Sequence, residues 1–134
     1  MEELMSDNLE AGRAFLAGKA NEDDVTVLPS GLMYKVIDAG EGATPGPSDQ
    51  VTVHYRGTLI DGTVFDSSYD RGQPATFPVN RVIAGWVEAL QLMSEGSKWE
   101  LYIPSELAYG RGGAGGDIGA NCTLIFEVEL IEIV

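Results

Sequence analysis

Apolar positions recur with two periods along this chain. From Val51 to Leu59, Val51, Val53, Tyr55 and Leu59 share one face, and Thr52, His54, Arg56 and Thr58 share the other. That alternation predicts a half-buried strand with Tyr55 inward and His54 outward. Trp99, Leu101 and Ile103 alternate in the same way over 98–103. Leu124, Phe126, Val128 and Leu130 do so over 123–134, with Glu127 and Glu129 opposite. Shorter extended runs cover 32–37, 63–68 and 75–79, and Asp61-Gly62 is a hairpin turn between two of the strands. The period then changes. Val82, Trp86, Ala89 and Leu90 fall at i, i+4, i+7 and i+8, one face of a helix. A tryptophan in so short a helix buries about 150–250 Å². The pattern predicts an α+β fold: an antiparallel sheet of five to six strands around one short helix, with Trp86 at the floor of the opening that remains.

Residues 1–24 read differently. Asp7 with Glu10 resembles a capping box, and Leu9 to Ala17 favour a helix of about three turns. Its apolar face is thin, and Asn21-Glu22-Asp23-Asp24 ends it. The expected division is therefore an N-terminal helix or connector, 1–24, and one domain, 25–134.

Composition narrows the function. The apolar fraction is 44% and no run of about 18 apolar residues occurs, so a soluble globular chain without a membrane span is expected. The N-terminus is acidic where a secretory signal is basic. The net charge of −13 is spread along the chain and excludes phosphate-backbone binding, so no nucleic-acid partner is expected. One cysteine, Cys122, forbids an internal disulfide, and one histidine, His54, cannot build a histidine-rich metal site. No metal and no cofactor are expected.

The chemical motifs mostly fail their context. Gly110 to Gly115 matches G-x-G-x-x-G, but a strand follows where a dinucleotide site needs a helix. Asp61, Asp66 and Asp70 lack the oxygen spacing of a calcium loop. No Ser/His/Asp or Cys/His nucleophile set exists. Asn121-Cys122-Thr123 matches the glycosylation pattern without support from the rest of the chain. What stands out is Asp66, across the hairpin from Tyr55, whose hydroxyl can satisfy the carboxylate. Aromatic and branched side chains also gather at strand ends and at the helix start. Simple core accounts for most of these, but it does not call for two tyrosines and an aspartate.

Several ordered motifs carry a resemblance. Val51-Thr-Val-His-Tyr-Arg-Gly-Thr-Leu-Ile-Asp-Gly-Thr-Val-Phe-Asp-Ser-Ser68 resembles the hallmark hairpin of FKBP-type peptidyl-prolyl cis-trans isomerases. Phe77-Pro-Val-Asn-Arg-Val-Ile-Ala-Gly-Trp86, Gly96 to Pro104, Leu107-Ala-Tyr-Gly110 and Leu124 to Leu130 follow in the family's order, so about residues 30–134 are covered. The N-terminal helix resembles the end of the long helix in bacterial macrophage-infectivity-potentiator-like members.

The resemblance implies a half-barrel around the short helix, acting on proline-containing polypeptides without a covalent intermediate and open to macrolide inhibitors of the tacrolimus/rapamycin type. It implies catalytic roles for Tyr55, Asp66, Trp86, Tyr109 and Phe126, and substrate-binding roles for Phe65, Phe77, Val82, Ile83 and Ile118. In the macrophage-infectivity-potentiator-like members the N-terminal region makes dimers; a monomer is expected for this chain, and a dimer where the N-terminal helix is longer. The compartment is not legible in the sequence, with cytoplasmic favoured over periplasmic. Ile118-Gly119-Ala120-Asn121 stands where members commonly have Ile-Pro-Pro, which implies a looser loop. A peptide-binding module without turnover is the alternative, and the Tyr/Asp/Trp/Tyr set argues for catalysis.

Overall fold

The computed structural model describes residues 2–110, 113, 118 and 121–134, with 2–7 as backbone alone. It opens with α1 (Glu2–Ala20), followed by β1 (Val25–Val27), β2 (Met33–Asp38), β3 (Gln50–Leu59) and β4 (Val64–Ser67). After these come α2 (Ser68–Arg71), β5 (Ala75–Pro78), a 3-10 turn (Val79–Arg81), α3 (Ala84–Leu90) and β6 (Lys98–Ile103). A second 3-10 turn (Ser105–Leu107) leads on to β7 (Leu124–Ile133).

The strands form one antiparallel sheet in the order β1-β2-β6-β7-β3-β4, with β5 also pairing with β3. β3 is its axis. Its first half pairs with β5, its second half with β4, and nearly its whole length with β7. The alternation in β3 explains this position: Val51 and Val53 are fully buried and Tyr55 is nearly so, all on the concave face. Trp99, Leu101 and Ile103 of β6 join them there, with Leu124, Phe126, Val128 and Leu130 of β7.

α3 fills the concavity. Trp86, Ala89 and Leu90 from the helix, and Met93 just beyond it, complete the same core. Three register slips, which locally bend and twist strands, interrupt the ladders. The β3–β7 ladder slips between Thr52 and Val53, β2 slips against β6 between Val36 and Asp38, and β3 slips against β4 between Gly57 and Thr58. The extra residues Ile131 and Ile37 are turned to solvent, whereas Phe65 is half-buried and enters the cleft described below.

On the convex side α1 builds a smaller cluster. Leu16 packs with Met33 and Tyr102, and Phe15, Val25 and Ile125 close it. Gly12 is needed for this approach, because a Cβ there would stand 2.2 Å from Thr123 Oγ1.

The sheet has seven strands, one more than the alternation predicts. β1 is the addition: three residues hold too little pattern to register, and its register is set by β2. α1 is also longer than expected. It begins at Glu2, so the predicted start at Ser6-Asp7-Asn8 falls inside the helix. α2 replaces a predicted loop.

The burial contrast at the end of α3 and in the turn that follows is testable. Leu90 is 1% exposed and Leu92 is 47% exposed. Leu90→Ala should cost about 2–5 kcal/mol by cavity formation, and Leu92→Ala no more than about 0.5 kcal/mol. Urea midpoints compare them, and equal shifts would contradict this packing.

Candidate active site

A cleft of about 480 Å³ opens between α3 and the concave sheet face. Tyr55, Phe65, Asp66, Phe77, Arg81, Val82, Ile83, Trp86, Tyr109 and Phe126 line it. Its floor is a set of crossed rings. Trp86 meets Tyr55 at 5.3 Å and 81°, Phe77 at 5.7 Å and 88°, and Phe126 at 5.2 Å and 83°. Phe65 then meets Phe126 at 5.5 Å and 87°. Edge-to-face pairs of this kind add about 0.5–1.5 kcal/mol beyond burial. Gly57, beside Phe126 in the ladder, makes room for them. A Cβ there would lie 2.5 Å from Phe65 and 2.7 Å from Phe126. Trp86 is 4% exposed, and its buried Nε1–H has no hydrogen-bond partner among the described residues.

One wall is polar. The Tyr55 hydroxyl donates to Asp66 Oδ2 at 2.6 Å. Arg71 donates from Nη2 to the Tyr55 hydroxyl at 2.9 Å, and its Nη1 pairs with Asp66 Oδ1. Burial pushes the Asp66 carboxyl up, but the bonds from Tyr55 and Arg71, with the Arg71 charge, outweigh it and hold the carboxyl below the usual range. Burial, and then the bond to Asp66, push the Tyr55 hydroxyl up.

α2 places Arg71. Ser67 caps it by accepting from the Asp70 N–H at 3.3 Å, and Gly72 ends it in the left-handed region at φ 74°. Ser68, fully buried, ties it to β3: its hydroxyl accepts the Tyr55 N–H at 2.7 Å and donates to the Tyr55 carbonyl at 3.2 Å. His54 Nδ1 lies 2.8 Å from the same oxygen. His54 thus faces away from the cleft, stacked on Tyr69 at 4.7 Å, as the strand alternation requires.

Beside the polar wall stands the N-terminus of α3. Ile83 is its cap residue, and its carbonyl accepts from Trp86 and Val87. Its own N–H makes no hydrogen bond among the described residues. Tyr109, 41% exposed, lines the cleft from the loop after β6.

Nine of the ten residues named from sequence therefore meet at one cleft: Tyr55, Phe65, Asp66, Phe77, Val82, Ile83, Trp86, Tyr109 and Phe126. Ile118 is 6% exposed and belongs to the same apolar cluster as the floor residues Tyr55, Trp86 and Phe126. The Gly119-Ala120 departure and most of the glycine-rich loop lie outside the described residues.

Two groups are additions: Arg81, which lines the cleft, and Arg71, which stands behind its wall on Tyr55 and Asp66. Arg71 was hidden in a stretch that reads as loop, although Ser67-x-x-Asp70 ahead of Gly72 carries the signal of a capped turn. Arg81 adjoins Val82 and Ile83 but breaks the apolar pattern. Among the described residues no group of His, Cys, Asp or Glu is arranged to hold a metal ion.

Comparison with known proteins agrees with this geometry. The family described as FKBP-type peptidyl-prolyl cis-trans isomerase matches residues 41–131. The domain amino terminal to such isomerases matches residues 1–36. The chain is 58% identical over 127 residues to the outer membrane protein MIP of Legionella longbeachae, covering 95% of this chain and 54% of that protein. It is 60% identical over 122 residues to the FKBP-type 22 kDa peptidyl-prolyl cis-trans isomerase of Escherichia coli, covering 91% and 59%. The chain thus spans little more than half the length of these curated relatives.

Among solved structures, FkpA from Escherichia coli superposes with a TM-score of 0.94 at 45% identity, covering 98% of this chain and 62% of that one. A peptidyl-prolyl cis-trans isomerase from Pseudomonas syringae gives 0.90 at 41% identity, covering 96% and 95%.

The lowered Asp66 carboxyl sets a pH signature. Its stabilising contribution is fully present above the unfolded value of about 4 and is lost as pH falls through the lower folded value. Urea midpoints of wild type and Asp66→Asn should therefore differ near neutrality and converge below about pH 4. A gap that is constant with pH would contradict the ion pair.

Proposed function

This chain belongs to the family of FKBP-type peptidyl-prolyl cis-trans isomerases, and we propose that its cleft accelerates rotation about X-Pro bonds in polypeptides. The observation that carries the proposal is the four-ring floor beneath a small apolar opening, with Tyr55 and Asp66 already bonded at its side.

An X-Pro bond turns in tens to hundreds of seconds unaided, over a barrier of about 18–20 kcal/mol. The planar amide is a resonance form with charge separated between oxygen and nitrogen. The twisted transition state has lost that resonance and is less polar. A site poor in water therefore disfavours the planar form more than the twisted one. Each ~1.4 kcal/mol of that difference is tenfold in rate. No bond to the protein forms at any step.

The roles follow from position. Trp86, Phe126, Phe77, Val82 and Tyr55 enclose the proline ring. The Ile83 N–H and the Tyr109 hydroxyl hold substrate carbonyls. Asp66 orients Tyr55 and lies near the twisting carbonyl, with Arg71 fixing both. Phe65 shapes the wall for the residue before proline, so the chain after proline leaves past Ile83.

Members of the family act on proline-containing peptides and bind macrolides, and we extend both to this chain, with tacrolimus or rapamycin as competitor. Residues 25–134 carry the activity, and 1–24 form a connecting helix. The chain acts as a monomer and engages no nucleic acid.

A protease-coupled assay on a proline tetrapeptide tests this reading. Wild type should accelerate isomerisation, and rapamycin should suppress it. The Asp66→Ala, Phe126→Ala double variant, shown to be folded by circular dichroism, should lose about tenfold or more, equivalent to ~1.4 kcal/mol. Wild-type rates in that variant would overturn the assignment of roles. No acceleration by wild type would favour a binding module.

A further inference from the structure

We infer that Arg81 forms a carboxylate-recognising subsite at the exit of the cleft, favouring substrates with Asp or Glu directly after the proline. The inference rests on the isomerase reading above, which sends the chain after proline past Ile83.

Two charged side chains line the cleft, Asp66 and Arg81. Asp66 has no capacity to spare in the direction of Tyr55 and Arg71: one oxygen accepts from the hydroxyl and the other from the guanidinium. Arg71 is committed to the same network. Arg81 is exposed and makes no ion pair or hydrogen bond among the described residues. It is the uncommitted charge of the lining, and it is positive in a chain of net charge −13.

Its base is fixed while its head is free. Arg81 closes the 3-10 turn Val79–Arg81, which Pro78 enters at φ −66°. The Val79 N–H donates to the Asp49 carbonyl at 2.9 Å, and the Val79 side chain is fully buried. The guanidinium thus hangs from an anchored turn two residues before the Ile83 N–H. A guanidinium presents two parallel N–H donors that match one carboxylate. A substrate carbonyl on Ile83 brings the next side chain within reach of that fork.

The chain's overall negative charge repels acidic peptides at long range, and salt screens this. The informative quantity is therefore the Glu-to-Gln ratio and its dependence on residue 81. Exposed pairs of this kind are worth about two- to fivefold.

The test uses Ala-Leu-Pro-Glu and Ala-Leu-Pro-Gln peptides with blocked ends. Isomerisation is read by NMR exchange and binding by titration of tryptophan fluorescence. Arg81→Gln should lower the Glu-to-Gln ratio about two- to fivefold, and Arg81→Glu should lower it further. High salt should shrink the effect of both variants. A ratio indifferent to residue 81, or a preference only for Glu placed before proline, overturns the inference. An Arg81-dependent binding preference without any rate acceleration would support the subsite and overturn the isomerase reading instead.

Discussion

The structure turns on one packing constraint: Trp86 must be met edge-on by rings from three strands. Tyr55 comes from the central strand β3, Phe77 from β5 and Phe126 from β7. A flat sheet would not bring these positions around one indole, so the sheet has to curve, and the slips at Ile131, Ile37 and Phe65 interrupt its ladders. Gly57 follows from the same demand, since any Cβ there would push Phe65 and Phe126 apart. The arrangement has a cost. The Trp86 Nε1–H is buried without an acceptor among the described residues, and a buried donor left unpaired is unfavourable by about 1–3 kcal/mol. Ring contacts and apolar burial offset it.

The polar wall depends on a much smaller device. α2 is four residues long and has no core of its own. It stays in place because Ser68 is bonded to both backbone groups of Tyr55 and Ser67 caps the turn. Arg71 then reaches back over Tyr55 and Asp66. The hydroxyl, carboxylate and guanidinium form a closed set, each partly satisfying the next. The same segment that supplies Asp66 thus supplies the group that orients it.

Much of this was legible in the sequence, and the reasons are physical. Long strands with one buried face must alternate, so β3, β6 and β7 could be read directly, as could the inward Tyr55 and outward His54. The helical spacing of Val82, Trp86, Ala89 and Leu90 revealed α3. Elements that depend on partners were not legible. β1 is a strand only because Val25, Thr26 and Val27 find Lys35, Tyr34 and Met33. α2 is held by tertiary bonds rather than propensity, so Arg71 was passed over. Arg81 sits between apolar residues that the pattern favoured. Ile118 belongs to the same apolar cluster as Tyr55, Trp86 and Phe126, so its place in the motif order and its burial point the same way.

The site's chemistry follows from which polar groups are already engaged. Tyr55 and Asp66 would draw water into the cleft if left open, and water would solvate a planar, charge-separated amide as well as bulk solvent does. Bonded to each other and to Arg71, they have part of their hydrogen-bonding capacity already taken up. The Ile83 N–H differs, since it lies at the end of a helix and has no partner among the described residues. A donor of that kind holds a carbonyl without adding a reactive group. The cleft therefore combines an apolar floor, a self-satisfied polar wall and one open backbone donor. Under the proposed function, that combination would hold a peptide while leaving its imide bond in surroundings that favour the less polar, twisted geometry.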